Sequence, residues 1–150
     1  MADAAASLFR YDIRLVNRRH FLASPASLFA QKPSGLRIGT MDGVLKLRGK
    51  PESVALAKKL GLAAVQVTLG LSSDAKTLPL ENRQLQTSFV SESEQHSIPI
   101  TATYIDILHV NCLKDDSLAG RWVDKGIEIT RNLKARTLMT VFFGKCQVLE

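Results

Sequence analysis

Four short apolar runs recur along this chain, and the segments between them have helical patterns. The runs are rich in β-branched residues and apolar on both faces: LRIGT (36–40), AAVQVTLG (63–70), PITATYIDIL (99–108) and RTLMTVFFG (136–144). Strands of this kind are typical of a parallel sheet that helices cover. Their spacing, roughly 27 to 37 residues, is the length of a β-α unit with its loops. The sequence therefore predicts an α/β fold with four parallel strands and three helices.

Four β-α units are half of a (β/α)8 barrel, which usually needs about 250 residues, whereas this chain has 150. We expect residues 36–150 to be the N-terminal half of a TIM barrel, with strand order 1-2-3-4 and the helices on one face. Residues 146–150 contain no helix or cap, which favours a chain truncated after its fourth strand. Two alternatives remain: a half-barrel that pairs with a second copy, and an open doubly wound sheet. Nucleotide binding is disfavoured, because neither G-x-G-x-x-G nor G-x-x-x-x-G-K follows any strand.

The composition is that of an ordinary globular domain, with 45% apolar and 23% charged residues. The net charge is +6, but the basic residues are scattered or lie near predicted helix ends, where they complement the helix dipole. Aromatic residues make up 6% of the chain and are not interleaved with the basic ones. We therefore expect no nucleic-acid partner. No run approaches the roughly 18 consecutive apolar residues of a membrane span, so none is expected.

Residues 1–35 do not follow the strand–helix pattern. The segment Asn17–Ala23 (NRRHFLA) resembles a twin-arginine export motif, and a weakly apolar stretch after it leads to the small-residue junction Ala30–Gln31. We expect residues 1–30 to be a twin-arginine-type signal peptide of an exported, periplasmic bacterial protein, and residues 31–35 to be a linker. The alternative is a frayed basic tail on a cytoplasmic protein.

The two cysteines, Cys112 and Cys146, belong to no C-x-x-C motif and to no Cys/His cluster with metal-ligand spacing. Each lies just past the carboxyl end of a predicted strand, so a bridge between them is geometrically possible. We expect two ordinary buried or half-buried thiols.

Residues 38–70 (IGTMDGVLKLRGKPESVALAKKLGLAAVQVTLG) contain a strand ending in glycine with an acidic residue after it, a helix that closes on "A-k-x-l-G-l", and a strand of the "GVQVSLG" type. These motifs resemble the opening of the sugar phosphate isomerase/epimerase family of xylose-isomerase-like TIM barrels. Residues 109–145 (HVNCLKDDSLAGRWVDKGIEITRNLKARTLMTVFFGK) are similar to the family's stretch from strand three to strand four. The two stretches occur in the same order as in the family.

This resemblance implies a metal-dependent enzyme that isomerises or epimerises a sugar or sugar phosphate. In the family, two Glu, an Asp and a His hold a divalent metal (Mn, Mg, Zn or Co), and Glu residues move a proton at a carbon beside a carbonyl. Those ligands lie at strand ends in the second half of the barrel. We therefore expect no catalytic residue and no metal ligand in this chain, and no activity of this chain alone.

Substrates of such barrels bind at the carboxyl ends of the strands. Five residues are predicted to line this substrate mouth: Asp42, Gln66, His109, Asn111 and Lys145. His109 is interpreted as a pocket-lining residue, with a satisfied core histidine or a metal ligand as alternatives. Lys145 either meets a phosphate or carboxylate or is a solvated loop lysine. Asp42, Asp106 and His109 are too dispersed to predict a metal centre.

Two classes of function remain open. One is the enzyme: the N-terminal part of a sugar isomerase or epimerase. The other is a non-catalytic binding or interaction module that forms a homodimer through open sheet edges. A half-barrel leaves its first and fourth strands with unpaired edges, and Met139, Val141 and Phe143 with nothing beside them, which favours self-association.

Overall fold

Four strands form one parallel sheet in the computed structural model, which describes residues 35–70 and 76–147. The strands are β1 (Gly39–Met41), β2 (Ala64–Gly70), β3 (Ile100–Ile105) and β4 (Thr137–Thr140). Their order across the sheet is β1-β2-β3-β4, and each neighbouring pair is parallel. The predicted parallel α/β fold and strand order are therefore confirmed. The predicted signal peptide (1–30) and the linker up to residue 34 lie outside the described residues.

One helix lies in each connection between strands. The helices are α1 (Glu52–Lys59), α2 (Arg83–His96) and α3 (Ala119–Asn132). Asn82 caps α2, because its Oδ1 accepts hydrogen bonds from the N–H groups of Gln84 (2.9 Å) and Leu85 (3.3 Å). Gly61 follows α1 with a φ of +72°, a left-handed conformation that glycine adopts without strain.

Helix α3 packs closely on β3 and β4 because it presents a glycine to them. A Cβ at Gly126 would lie 2.6 Å from Ile105 Cδ1 and 3.3 Å from Leu138 Cδ2. One turn later, the Thr130 hydroxyl donates to the Gly126 carbonyl (2.6 Å) and lies 2.6 Å from Thr103 Oγ1. Because the Thr130 proton is directed at Gly126, Thr103 is the donor in the second contact. This buried polar chain fixes the position of α3 along the sheet.

The opposite face of the sheet, which we call the inner face, carries alternate residues of the strands. The register aligns Thr68, Tyr104 and Met139 on it. Gln66 Nε2 lies 3.8 Å from the Met139 sulfur, so β2 and β4 make contact across β3. Strands β1 and β4 have one neighbour each among the described strands. Within the same residues, no helix is long and apolar enough to cross a membrane.

All four strands are shorter than the predicted apolar runs, and β3 and β4 differ from their runs the most. Strand β3 ends at Ile105, because Ile107 and Leu108 are buried in a 3-10 turn that caps the core. Strand β4 ends at Thr140, the register partner of Ile105, so it has no β3 residue to pair with beyond that point. The length of an apolar run therefore overestimates the length of the strand when the turn after the strand is also buried.

The expectation of two free thiols is wrong. Cys112 and Cys146 form a disulfide, with their Cα atoms 4.7 Å apart. The cause is the strand order: the two cysteines follow β3 and β4, which are adjacent and parallel, so the loops after these strands leave the sheet side by side.

Candidate functional site

A buried carboxylate fixes the loop that follows β1. Asp42 is fully buried, and its oxygens accept three hydrogen bonds: from the Thr68 hydroxyl (2.6 Å), the Thr68 N–H (3.0 Å) and the Gly49 N–H (2.8 Å). The first two join the carboxyl ends of β1 and β2. The third closes the loop between β1 and α1 onto Asp42. Hydrogen bonds to a charged acceptor are stronger than neutral ones, so Asp42 is the anchor of this loop.

The anchored loop directs Arg48 towards the end of β3. The Arg48 side chain lies over Gly43, where an added Cβ would be 3.2 Å from Arg48 Nε. Arg48 Nη1 is 3.7 Å from Oδ2 of Asp106, the first residue after β3. This distance is that of an ion pair and is longer than a hydrogen bond. The Arg48 side chain is 44% exposed and that of Asp106 is 6% exposed, so the pair joins an accessible cation to a buried anion.

Asp106 is buried without the hydrogen bonds that a carboxylate normally has. Neither of its side-chain oxygens is accessible to solvent, and neither accepts a hydrogen bond from the described residues. Burial raises the pKa of Asp106 to about 6; its own N–H, the Arg48 guanidinium and the Ile107 N–H oppose the rise, and the Asp42 charge adds to it. These two N–H groups favour the charged form, although neither makes a hydrogen bond to the Asp106 side chain. A carboxyl group with this pKa changes protonation close to neutral pH.

An aromatic cluster lies beside these acids. The Tyr104 hydroxyl is 2.7 Å from His109 Nε2, and the His109 ring centroid is 5.2 Å from that of Phe143. Burial, and after it the Asp106 charge, raises the pKa of Tyr104, so the phenol keeps its proton at neutral pH. Where Tyr104 donates to Nε2, the neutral imidazole keeps its proton on Nδ1. The Phe143 side chain is 66% exposed and forms the outer side of the cluster.

The disulfide holds the turn after β4 against this cluster. Cys146 lies in the 3-10 turn Gly144–Cys146, and its Sγ is 3.4 Å from the His109 carbonyl oxygen. Because the bonded sulfur has no proton, this is a contact and not a hydrogen bond. Phe143 directly precedes the turn, so the bridge also fixes Phe143 beside His109.

The five predicted site residues all lie at the carboxyl edge of the sheet or on its inner face. The contacts of Asp42, Gln66 and His109 are those given above. Asn111 Nδ2 donates to Asp116 Oδ2 (2.7 Å), whereas Asn111 Oδ1 is buried without a partner in the described part of the chain. Lys145 is exposed. Within the described residues no side-chain hydrogen bond joins any two of the five, and their contact with a substrate stays a prediction.

Sequence reasoning did not select Arg48, Tyr104 or Asp106 for the substrate mouth. Asp106 has a signal, because it lies near the carboxyl end of an apolar run. Tyr104 has a weaker signal. The alternation of side chains along a strand indicates which residues share its side of the sheet, but not whether helices cover that side. Arg48 has no signal, because its position depends on how the loop between β1 and α1 folds around its anchor, Asp42.

These side chains do not fit a divalent metal. Three donors already engage the Asp42 oxygens, Tyr104 engages His109 Nε2, and Asp106 is paired with Arg48. In the described ranges, no group of three or more His, Cys, Asp or Glu side chains could hold a metal ion. We therefore assign no chemical step to a metal at these residues.

No protein-family model matches the sequence, and no curated protein matches it. The resemblance to the sugar phosphate isomerase/epimerase family therefore rests on the two stretches quoted above, residues 38–70 and 109–145.

Proposed function

We propose that this chain forms the N-terminal, substrate-facing part of a sugar phosphate isomerase/epimerase-like barrel, which transfers a proton on a sugar or sugar phosphate. The observation that carries the proposal is the convergence of polar side chains at the carboxyl edge of a four-stranded parallel sheet. Substrates of (β/α)8 enzymes bind at that edge. Carboxylates, imidazoles and phenols also provide the directional hydrogen bonds that a hydroxyl-rich ligand requires.

In this proposal the described residues bind and orient the sugar. His109 offers a ring N–H to a ligand oxygen, and Tyr104 holds the imidazole in the orientation that makes this possible. The exposed Phe143 ring offers an apolar surface to the C–H face of the sugar. The divalent metal that the family resemblance implies would need ligands beyond those of the four strands, so we assign binding, and not proton transfer, to this chain.

The disulfide supports export. Disulfides form and persist in oxidising compartments such as the bacterial periplasm and are rare in the cytosol. The Cys112–Cys146 bridge is therefore consistent with the proposed twin-arginine signal peptide, and we propose a periplasmic location.

Saturation-transfer NMR with a panel of ketoses and ketose phosphates tests sugar binding. We expect at least one of these ligands to bind, and His109→Gln to abolish its signal. His96→Gln is the matched control, because His96 lies on α2 and pairs with Glu92 (3.3 Å). The same samples in D2O should show no exchange of sugar C–H protons, with or without Mn²⁺. Absence of binding by the wild-type chain, or an equal loss in both histidine variants, would reject the proposal.

A second candidate is a self-associating interaction module. Met139 and Phe143 are 41% and 66% exposed, whereas Val141 is buried, so the expectation that nothing lies beside it is wrong. Strand β4 has a single neighbour among the described strands. A second copy that placed its β1 beside β4 would continue the parallel sheet and cover these side chains. Light scattering decides the matter: a dimer that Phe143→Ser converts to a monomer supports this candidate, and a monomer at all concentrations rejects it.

A further inference from the structure

We propose that Arg48 and Asp106 form a binding site for a polyhydroxylated anion, and that the anionic group of the ligand itself opens this site. The anionic group of the ligand draws the Arg48 guanidinium away from Asp106, and a ligand hydroxyl then hydrogen-bonds to the freed carboxyl group, which accepts at one oxygen and, when protonated, donates from the other. The sugar-like part of this ligand rests on the proposed function, whereas the requirement for an anion rests on the Arg48–Asp106 pair alone.

The bonding state of Asp106 is the first support. A buried carboxylate without hydrogen bonds is costly, and both Asp106 oxygens are buried and accept none from the described residues. Its single cationic partner in these residues is Arg48, at 3.7 Å. Two acceptor oxygens are therefore open to donors that the described residues do not supply. Hydroxyl groups of a ligand are donors of the right kind.

The exposure of Arg48 is the second support. Its side chain is 44% exposed, so an anion in solution reaches the guanidinium without any movement of the backbone. A guanidinium binds phosphate or carboxylate through two parallel hydrogen bonds, which is a better geometry than its present contact with Asp106. The Asp42–Gly49 hydrogen bond (2.8 Å) holds the loop in place, so the side chain can turn on a fixed backbone.

Displacement of Arg48 has an electrostatic consequence. The groups that influence Asp106 are Arg48, Asp42 and Tyr104, with His109 behind Tyr104. Arg48 is the cation that opposes the raised pKa of about 6, and Asp42 adds to it. When an anion neutralises Arg48, the pKa of Asp106 rises further and the carboxyl group takes up a proton near neutral pH. Anion binding is therefore linked to proton uptake.

The chemistry that fits is an anionic group with hydroxyls on neighbouring carbons. A sugar phosphate and a sugar acid both have it, and they differ in whether the anion is a phosphate or a carboxylate. We represent them by D-fructose 6-phosphate and D-gluconate. D-Fructose lacks the anion, and inorganic phosphate lacks the carbon-bound hydroxyls.

Calorimetric titration at about pH 6.5, in two buffers of different ionisation enthalpy, tests the proposal because the buffer dependence counts protons. We expect at least one of the two hydroxylated anions to bind with proton uptake, and D-fructose to bind at least about tenfold more weakly. Arg48→Gln should weaken the anion at least about tenfold. Asp106→Asn should leave inorganic phosphate binding intact and remove both the proton uptake and the preference for the hydroxylated anion.

Arg83→Gln is the matched arginine control, because Arg83 is exposed and pairs with Glu128 on another surface. Equal affinity for D-fructose and the anions, proton uptake that persists in Asp106→Asn, or an equal loss in Arg83→Gln would overturn the proposal. Failure of the proposed function has a different signature: inorganic phosphate binds at Arg48 with proton uptake, and no sugar binds. Circular dichroism verifies that each variant folds. Arg48→Lys keeps the charge but not the planar guanidinium group, so it should lose only part of the affinity for the anion.

Discussion

Removal of the Cys112–Cys146 bridge should lower the free energy of unfolding by about 3.8 kcal/mol. The two cysteines are 34 residues apart, and a cross-link over that span removes about 12.6 cal/mol/K of closure entropy from the unfolded chain, or about 3.8 kcal/mol at 298 K. The fold adds a local effect. Without the bridge, the turn after β4 loses its covalent link to the loop after β3, and Phe143 is no longer fixed beside His109.

Urea unfolding measures this loss directly. Trp122 is the single tryptophan and is 1% exposed, so its fluorescence reports on the packing of α3 against the sheet. With a denaturant slope of about 1 to 3 kcal/mol/M, the midpoint should fall by about 1 to 4 M urea. The samples are the oxidised wild type, the wild type with a phosphine reductant, and Cys112→Ala/Cys146→Ala. The last two should agree, because both lack the closed loop.

Two results would refute this reasoning. A midpoint that the reductant leaves unchanged, with both thiols then titrating as free, would show that loop closure contributes nothing to stability. A double variant that is much less stable than the reduced wild type would assign the loss to the missing sulfur of the fully buried Cys146, and not to chain entropy.

Three further predictions concern single side chains. Gly126→Ala should lower the free energy of unfolding by at most about 1 kcal/mol, because its Cβ would lie 2.6 Å from Ile105 Cδ1, the movable end of a side chain, while alanine favours a helix over glycine by about 1 kcal/mol; urea unfolding checks this, and Ile105→Val, which removes that Cδ1, should relieve the contact in the double variant. Asp42→Asn should cost about 2 to 5 kcal/mol in the same assay, because an amide cannot accept from all the donors that now face the carboxylate; Thr68→Val, which removes one of them, should cost less. Asp106 binds more protons in the folded than in the unfolded state between about pH 4 and pH 6, since its folded pKa is raised from 3.8 to about 6. Wild-type stability should therefore fall, relative to Asp106→Asn, as pH rises through that window, by at most about 1.4 kcal/mol per pH unit; a constant difference in urea midpoint across the window would contradict this.

The sheet could be predicted from the sequence because its signals are local. Runs that are apolar on both faces, at the spacing of β-α units, indicate parallel strands whatever the rest of the chain does. The strand ends could not be predicted in the same way. Ile107 and Leu108 are as apolar as the strand before them, yet they belong to a turn that covers the core. The strand and the turn are both buried, and hydropathy indicates burial without distinguishing a strand from a turn.

The edge of the sheet at which Asp42, Asp106 and His109 lie could also be predicted, because strand direction determines which loops meet. Contacts within that edge could not. The expectation for Cys112 and Cys146 was wrong although both were placed just past strand ends, since the distance between two loops depends on how each one folds. The contact of Arg48 with Asp106 was even harder to predict from the sequence. Arg48 reaches Asp106 only because Gly43 leaves room for its side chain and because Gly49, next to it, is bound to Asp42.

Asp42 and Asp106 show what separates a structural acid from one that is available to a ligand. Each directly follows a strand of the same parallel sheet, and each is buried. Asp42 receives three donors from the fold, so its negative charge is satisfied internally. Asp106 receives none from the described residues and keeps a single cation at ion-pair distance. The difference arises from donors elsewhere in the fold, Thr68 on β2 and Gly49 before α1. Residue type and position do not reveal it, and the sequence predicted Asp42, and not Asp106, in the substrate mouth. Of the two acids, only Asp106 has oxygens that accept no hydrogen bond from the described residues, so we expect a ligand to bind there and not at Asp42. Solvent reaches its partner Arg48, which a ligand can therefore contact first.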